Sequence, residues 1–471
     1  MRNLFTLLVL MVSVSMIAVG QPLPTLHHTE IDRTSKDTNT LQHILRGGTF
    51  YGHARYFFMG TDNKAGLSDY FANAIGMGIG YETGKIKGFQ LGLSGFFIYN
   101  IGSSDLSLAD PKTGALNRYE IGLFDMKDPK NHHDLDRLED LYLKYSFKKS
   151  NVKFGKQHIK TPYVNAQDGR MRPTLTEGVT IEFKEIKNTT IEAGYLYKIS
   201  PRGTVKWYGV GESIGIYPMG VLTDGTRANY EGRIKSDGII FTGITHSINK
   251  NVKLQAWNNY VENVFNTTLL QYNGDYKIAN RYTLITGLQG AYQTALNHGG
   301  HAEKQYSYML PNNEVYTFGA KLGIALPSQL SFVGNYNRIT KHGQYLMPRE
   351  WGRDPFFTFM ARERNEGFGD VHAITGTLSK KFAKKGLKIE ATYGYFKMPD
   401  VKNSALNKYG LPSYWQTNID IRYSMPKYFH GTELQLLYVY KGKVGETYNN
   451  ERFVMNKVDM STVNFIVNYH F

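Results

Sequence analysis

The side chains with the most pointed chemistry in this sequence are guanidiniums gathered in two stretches. One carries Asp168, Arg170 and Arg172; the other, residues 340–369, carries Arg349, Arg353, Asp354, Arg362 and Arg364 among Trp351, Phe356 and Phe357. Arginine stays charged at neutral pH and offers a planar fork that pairs bidentately with a carboxylate. Held in a narrow low-dielectric passage, such groups focus their field and raise the local concentration of small anions. The remaining chemistry-bearing clusters carry less. His132-His133-Asp134-Leu-Asp136 with Glu139 and Asp140, and His298-Gly-Gly-His301, are metal-capable but lack a recognised ligand spacing, so they read as solvated loop and no metal site is assigned. There is no nucleophile elbow and no HExxH. Cysteine is absent, which removes disulfides and thiolate metal sites. No cofactor and no enzymatic activity are expected.

The elements that must hold these arginines are strands. In the last thirteen residues, Val463, Phe465, Val467, Tyr469 and Phe471 share one face, while Thr462, Asn464, Asn468 and His470 share the other, broken only by Ile466. That is the period of two expected of a half-apolar strand. A chain ending on an aromatic residue, aromatic again two positions earlier, resembles the terminal strand of bacterial outer-membrane barrels. The same alternation predicts strands at 48–59, 71–83, 88–100, 140–148, 151–157, 177–186, 189–199, 236–248, 251–262, 265–277, 281–293, 315–326, 329–339, 370–381, 386–397, 415–425, 432–442 and 459–471, an even total of eighteen. Connections after even-numbered strands are tight. Those after odd-numbered strands are mostly long, including 101–139, 158–176, 200–235 and 340–369. This sorting predicts an all-β, 18-stranded antiparallel transmembrane β-barrel with long external loops and short periplasmic turns.

Composition and the amino terminus agree. Tyr 34, Phe 26 and Gly 48 are high counts without any apolar run long enough for a transmembrane helix. Arg2, the apolar run from Leu4 to Val19 and the small residues Ala18-Val19-Gly20 predict a secretory signal peptide over 1–20. Residues 21–46 then form a periplasmic N-terminal segment, too short for a folded plug, and 47–471 the barrel. The predicted address is the outer membrane of a Gram-negative bacterium, in contact with lipid and lipopolysaccharide.

Two faces are visible within single strands. Leu141, Leu143, Tyr145 and Phe147 alternate with Tyr142, Lys144, Ser146 and Lys148; Ile419, Ile421 and Tyr423 alternate with Asn418, Asp420, Arg422 and Ser424. A lysine or arginine facing mid-bilayer costs about 2–4 kcal/mol, so the charged rows should face a hydrated lumen. By alternation, Arg55, Lys144, Lys148, Lys153, Lys184, Arg281 and Arg422 are the candidate pore-lining cations, and a lumen polar all the way round is a channel. The formal charge of +15 does not indicate nucleic acid, since many of the lysines sit in tight turns and no recognition module accompanies them.

Gly155-Lys-Gln-His-Ile-Lys-Thr-Pro162, continuing through Asp168-Gly-Arg-Met-Arg-Pro173, Glu177-Gly178, Glu185-Ile186 and Ile191-Glu-Ala-Gly194, resembles the OprD-type family of outer-membrane porins. Gly52-His-Ala-Arg-Tyr-Phe-Phe58 with Thr61-Asp-Asn63, and Asn117-Arg-Tyr-Glu-Ile-Gly-Leu-Phe-Asp125, are similar to members of the same family. The resemblance implies a substrate-selective porin for passive diffusion of small, carboxylate-bearing solutes such as amino acids, peptides or organic acids. It implies that the third and seventh loops fold inward, making Asp168, Arg170, Arg172, Arg349, Arg353, Arg362 and Arg364 the candidate constriction residues. The seventh-loop sequence itself departs from that of the best-known members. The resemblance also implies that Phe471 belongs to the signal read by the outer-membrane assembly machinery. The chain would act as monomer or trimer. The rival expectations are a barrel enzyme and a barrel scaffold for adhesive surface loops.

Overall fold

All eighteen expected strands form, with ends displaced by a few residues. The computed structural model describes residues 45–167, 169–279, 281–425 and 429–471; the predicted signal peptide, nearly all of segment 21–46 and Asp168 lie outside the described residues. In chain order the strands are β1 (Thr49–Asp62), β2 (Tyr70–Glu82), β3 (Phe89–Ser103), β4 (Arg137–Phe147), β5 (Ser150–Gln157), β6 (Leu175–Phe183), β7 (Thr189–Ser200), β8 (Tyr208–Gly209), β9 (Ile239–Asn249), β10 (Val252–Val261), β11 (Phe265–Ile278), β12 (Tyr282–Ala295), β13 (Glu314–Ala325), β14 (Leu330–Ile339), β15 (Val371–Phe382), β16 (Leu387–Lys397), β17 (Tyr414–Ser424), β18 (Thr432–Lys443) and β19 (Met460–His470). β8 is a two-residue strand within a long loop, paired with Lys198 and Ile199 of β7. The other eighteen pair antiparallel with their neighbours.

The sheet closes on itself. β1 pairs with β19 from His53↔His470 to Asp62↔Ser461, and Gly52 and Phe471 exchange backbone hydrogen bonds of 3.0 Å in both directions. Closure matters because an open edge would leave unpaired N–H and C=O groups in hydrocarbon. The mostly long connections gather at one end: L1 (63–69), L2 (104–136), L3 (158–174), L4 (201–238), the short L5 (262–264), L6 (296–313), L7 (340–370), L8 (398–413) and L9 (444–459).

The outer face is the apolar half of each alternation. Leu270, Leu288, Phe318, Leu322, Ile374 and Tyr393 are among its well-exposed residues. Near the long-loop end, Trp415 lies between Tyr393 and Tyr440, with ring centroids 6.0 and 5.1 Å away; near the short-turn end, Phe89 packs on Tyr145 at 4.7 Å. Aromatic rings at both edges of an apolar belt are the expected anchors at the two membrane interfaces.

The inner face departs from the expectation of a polar lining all the way round. Phe57, Met59, Ala72, Ala74, Phe96, Ile98 and Ile466 point inward and form one buried cluster with Leu106, Tyr119, Ile121, Leu123, Phe124 and Met171. L2 folds into the barrel, and its apolar residues need an apolar wall to bury against. This explains why Ile466 interrupts the polar row of β19. A second cluster packs L4, L6, L7 and L8 against Trp257, Phe265, Phe396 and Tyr414. The loop half of the barrel is thus filled, whereas Asp140, Lys144, Lys153, Thr180, Asp420, Arg422 and Gln435 leave the other half polar inside.

Candidate functional site

L3 and L7 meet inside the barrel through their backbones. Asn165 donates from its N–H to Trp351 O (2.9 Å) and from its amide to Arg353 O (3.0 Å), while Arg353 N–H donates to Asn165 Oδ1 (3.1 Å). Gly352 makes the approach possible. Its φ is +135°, and a Cβ there would lie 2.5 Å from Asn165 Oδ1. L4 joins through the next residues of L7: Trp351 Nε1 donates to Ser213 Oγ (2.8 Å), and the Glu350 carboxylate accepts from Gly215 N (3.1 Å) and Tyr217 N (2.8 Å).

L2 supplies the opposite side. Arg118 Nη2 donates to Glu363 Oε1 at 3.0 Å, and Lys441 of β18 donates to Glu363 Oε2 at 3.2 Å and to Tyr119 Oη at 2.8 Å. Between the four loops lies a cavity whose lining, among the described residues, includes Arg118, Arg170, Arg202, Arg349, Arg362 and Arg364 against the single carboxylate Glu363. Tyr119, Tyr217, Phe359, Met126 and Gln167 complete its sides.

The guanidiniums are braced along L3. Arg170 Nη1 donates to Gly169 O (2.7 Å), and Arg362 Nη1 converges on the same carbonyl (3.3 Å) while its Nη2 reaches Asn464 Oδ1 (2.5 Å). Arg364 donates to Gln167 Oε1, and Arg349 pairs with Glu366 and lies 3.9 Å over the Tyr409 ring. Burial and then the neighbouring Arg362 push Arg170 down to about 9. Burial, then Arg202 and Arg349, bring Arg364 down to about 9 as well. Both remain charged at neutral pH, and part of each depression comes from neighbouring guanidiniums. Glu363 behaves oppositely: burial alone would raise it, but Arg118, Lys441 and Arg349 hold it well below the usual carboxylate range.

Of the expected constriction residues, Arg170, Arg349, Arg362 and Arg364 are brought together here. Arg172 is not. It points to the back of L3, fully buried, and donates to Leu135 O at 2.9 Å. Arg353 stays exposed, 5.5 Å over the Phe359 ring, and does not line the cavity. Among the expected wall cations, Lys144 and Lys153 face each other across β4 and β5, with Lys153 4.5 Å over the Tyr142 ring. Arg55 braces L3, donating to Arg170 O (2.7 Å) and Asn468 Oδ1 (2.6 Å). Arg422 is ion-paired with Asp420 (3.2 Å), and Lys184, just past β6, with Glu182 (2.5 Å). Lys148 and Arg281 are not wall residues. β4 ends at Phe147 and β11 at Ile278, so both side chains sit in turns, where alternation no longer assigns a face. Arg118, Arg202 and Glu363 escaped the sequence reading. For Arg118 a signal existed, since Ile121, Leu123 and Phe124 make its stretch of L2 too apolar for an external loop.

A closed eighteen-stranded barrel with an apolar outer belt, aromatic edges and charged loops folded into its bore is an outer-membrane porin. The chain belongs to the OprD family: the model described as outer membrane porin, OprD family, matches residues 46–315. It is a Gram-negative outer-membrane protein. It is similar in fold to the crystal structure of Pseudomonas aeruginosa OpdK with vanillate, at 14% identity and a TM-score of 0.70 over 91% of this chain and 99% of that one. Acinetobacter baumannii OccAB2 aligns at 15% identity and a TM-score of 0.69, again over 91% and 99% of the two chains. Pseudomonas aeruginosa OccK9 (OpdG) gives 14% and 0.71 over the same shares. No curated protein sequence matches the chain.

Proposed function

We propose that this porin is a passive, anion-preferring channel for small carboxylate-bearing solutes, with no chemical step and no energy source. One observation supports the reading above the rest: among the described residues lining the place where L2, L3, L4 and L7 converge, six arginines accompany one already paired glutamate. Guanidinium forks suit carboxylates, and low-dielectric walls strengthen their field. Conduction also requires release, which several modest contacts allow better than one deep site. The similar OpdK crystal structure is one with vanillate, and vanillate carries a carboxylate. Lys144 and Lys153 extend positive charge below the constriction, although Asp140 and Asp420 on the same inner face make the lower bore mixed in sign. The test is the reversal potential of single channels in a planar bilayer under a KCl gradient. Anion preference is expected; cation preference, or no conductance from folded protein, would overturn the reading.

A further inference from the structure

The constriction has cations in two places, and among the described residues that line it the one carboxylate, Glu363, is already paired. Arg170 and Arg362 converge on Gly169 O, whereas Arg364 is held by the Gln167 side chain, two residues back along L3. Gln167 and Gly169 are two positions apart in L3, so their Cα atoms lie at most about 7 Å apart. Arg362 Nε, Arg364 Nη1 and Arg349 Nη2 are buried donors without a partner among the described residues. A buried guanidinium N–H left unpaired is costly, so each calls for an acceptor.

The described carboxylate and amide acceptors facing the cavity are already engaged. Glu363 Oε1 takes Arg118 and the Arg364 backbone N–H, and Oε2 takes Lys441. Gln167 Oε1 takes Arg364, and the Tyr119 hydroxyl takes Lys441, while Arg202 lies 5.9 Å over the Tyr217 ring. Among the described lining residues an ammonium group entering here would find no free carboxylate and would face the guanidiniums directly.

Resting on the anion-channel reading, we propose that the preferred solute is a short aliphatic dicarboxylate without an amino group, one carboxylate at the Arg170–Arg362 station and the other at Arg364. A monocarboxylate satisfies only one station. A zwitterion adds a cation that this passage repels. The preference follows from charge placement and spacing along L3, not from total charge.

The experiment uses the full channel in planar bilayers, with succinate, aspartate and butyrate as probes at neutral pH. Succinate and aspartate differ only by the ammonium group; butyrate removes the second carboxylate. Permeability ratios to chloride come from bi-ionic reversal potentials. Succinate is expected to exceed both others by about tenfold, the factor one charge-assisted contact supplies. Aspartate equal to succinate, or butyrate equal to succinate, overturns the proposal while leaving an anion channel intact. Cation preference in KCl would instead overturn the underlying reading. Arg362→Gln and Arg364→Gln should each bring the succinate ratio down towards that of butyrate, and a ratio unchanged in both assembled variants would overturn the two-station assignment. Should neither variant assemble, the three-probe comparison on the unmodified channel decides alone.

Discussion

Glu363 lets Arg118 and Lys441 stand side by side in a dry wall, because each of its oxygens holds one of them. Removing one partner of a buried ion pair costs about 3–5 kcal/mol, since the other charge stays behind. Glu363→Gln should therefore lower the temperature at which the barrel loses its heat-modifiable gel mobility, and should increase anion preference in any channel that assembles. A second residue-level expectation concerns pH. Burial raises Glu120 to about 7, Glu350 to about 7 and, outweighing Arg364, Asp354 to about 6. A carboxyl raised on folding takes up a proton as the chain folds, so its ionised form opposes stability above the folded value. That opposition is relieved as pH falls from about 7 towards the ordinary carboxylate range. Glu363, held low, keeps its charge across that window. Lowering pH from about 8 to about 5.5 should raise anion preference in reversal-potential measurements, with loop stability unchanged or improved. Glu350→Gln should flatten part of that response.

At the scale of elements, the narrowing depends on L3 and L7 lying back to back. Gly352→Ala would put a methyl in a left-handed conformation and against Asn165 Oδ1. Strain of this kind costs about 1–3 kcal/mol, enough to detach a few backbone hydrogen bonds. Larger single-channel conductance with weaker ion selectivity is expected, and unchanged conductance would show that the contact does not set the bore. The other element with a distinct consequence is β19. Phe471 ends it half exposed while its backbone completes the ladder to Gly52. If Phe471 also carries the assembly signal, deleting it should reduce the amount of barrel inserted in the outer membrane far more than the conductance of the barrels that form. Equal membrane levels would remove that role.

For the whole molecule, the two faces of the wall make opposite demands, and the sequence answers them unevenly. Strand positions, loop alternation and the lipid belt were legible because period two is local. Leu141, Leu143 and Tyr145 announce an apolar face whatever the rest of the chain does. The closing pair β1–β19 followed from the same logic, since a barrel in lipid tolerates no free edge. The arginine constriction was legible only in part. Arg170 and Arg172 are two apart in a loop, and only folding decided that one faces the passage while the other turns to Leu135 O behind it. Arg118 and Arg202 lie in loops without periodicity, and they reach Arg362 and Arg364 because L2 and L4 fold inward onto apolar walls. Those walls also overturned the expectation of an all-polar lumen. The sequence by itself determined the barrel, its membrane and its strand faces, all consequences of nearest-neighbour chemistry along an extended chain. Tertiary structure decided which cations share the pore, because that depends on contacts between loops hundreds of residues apart, and no local pattern encodes such contacts.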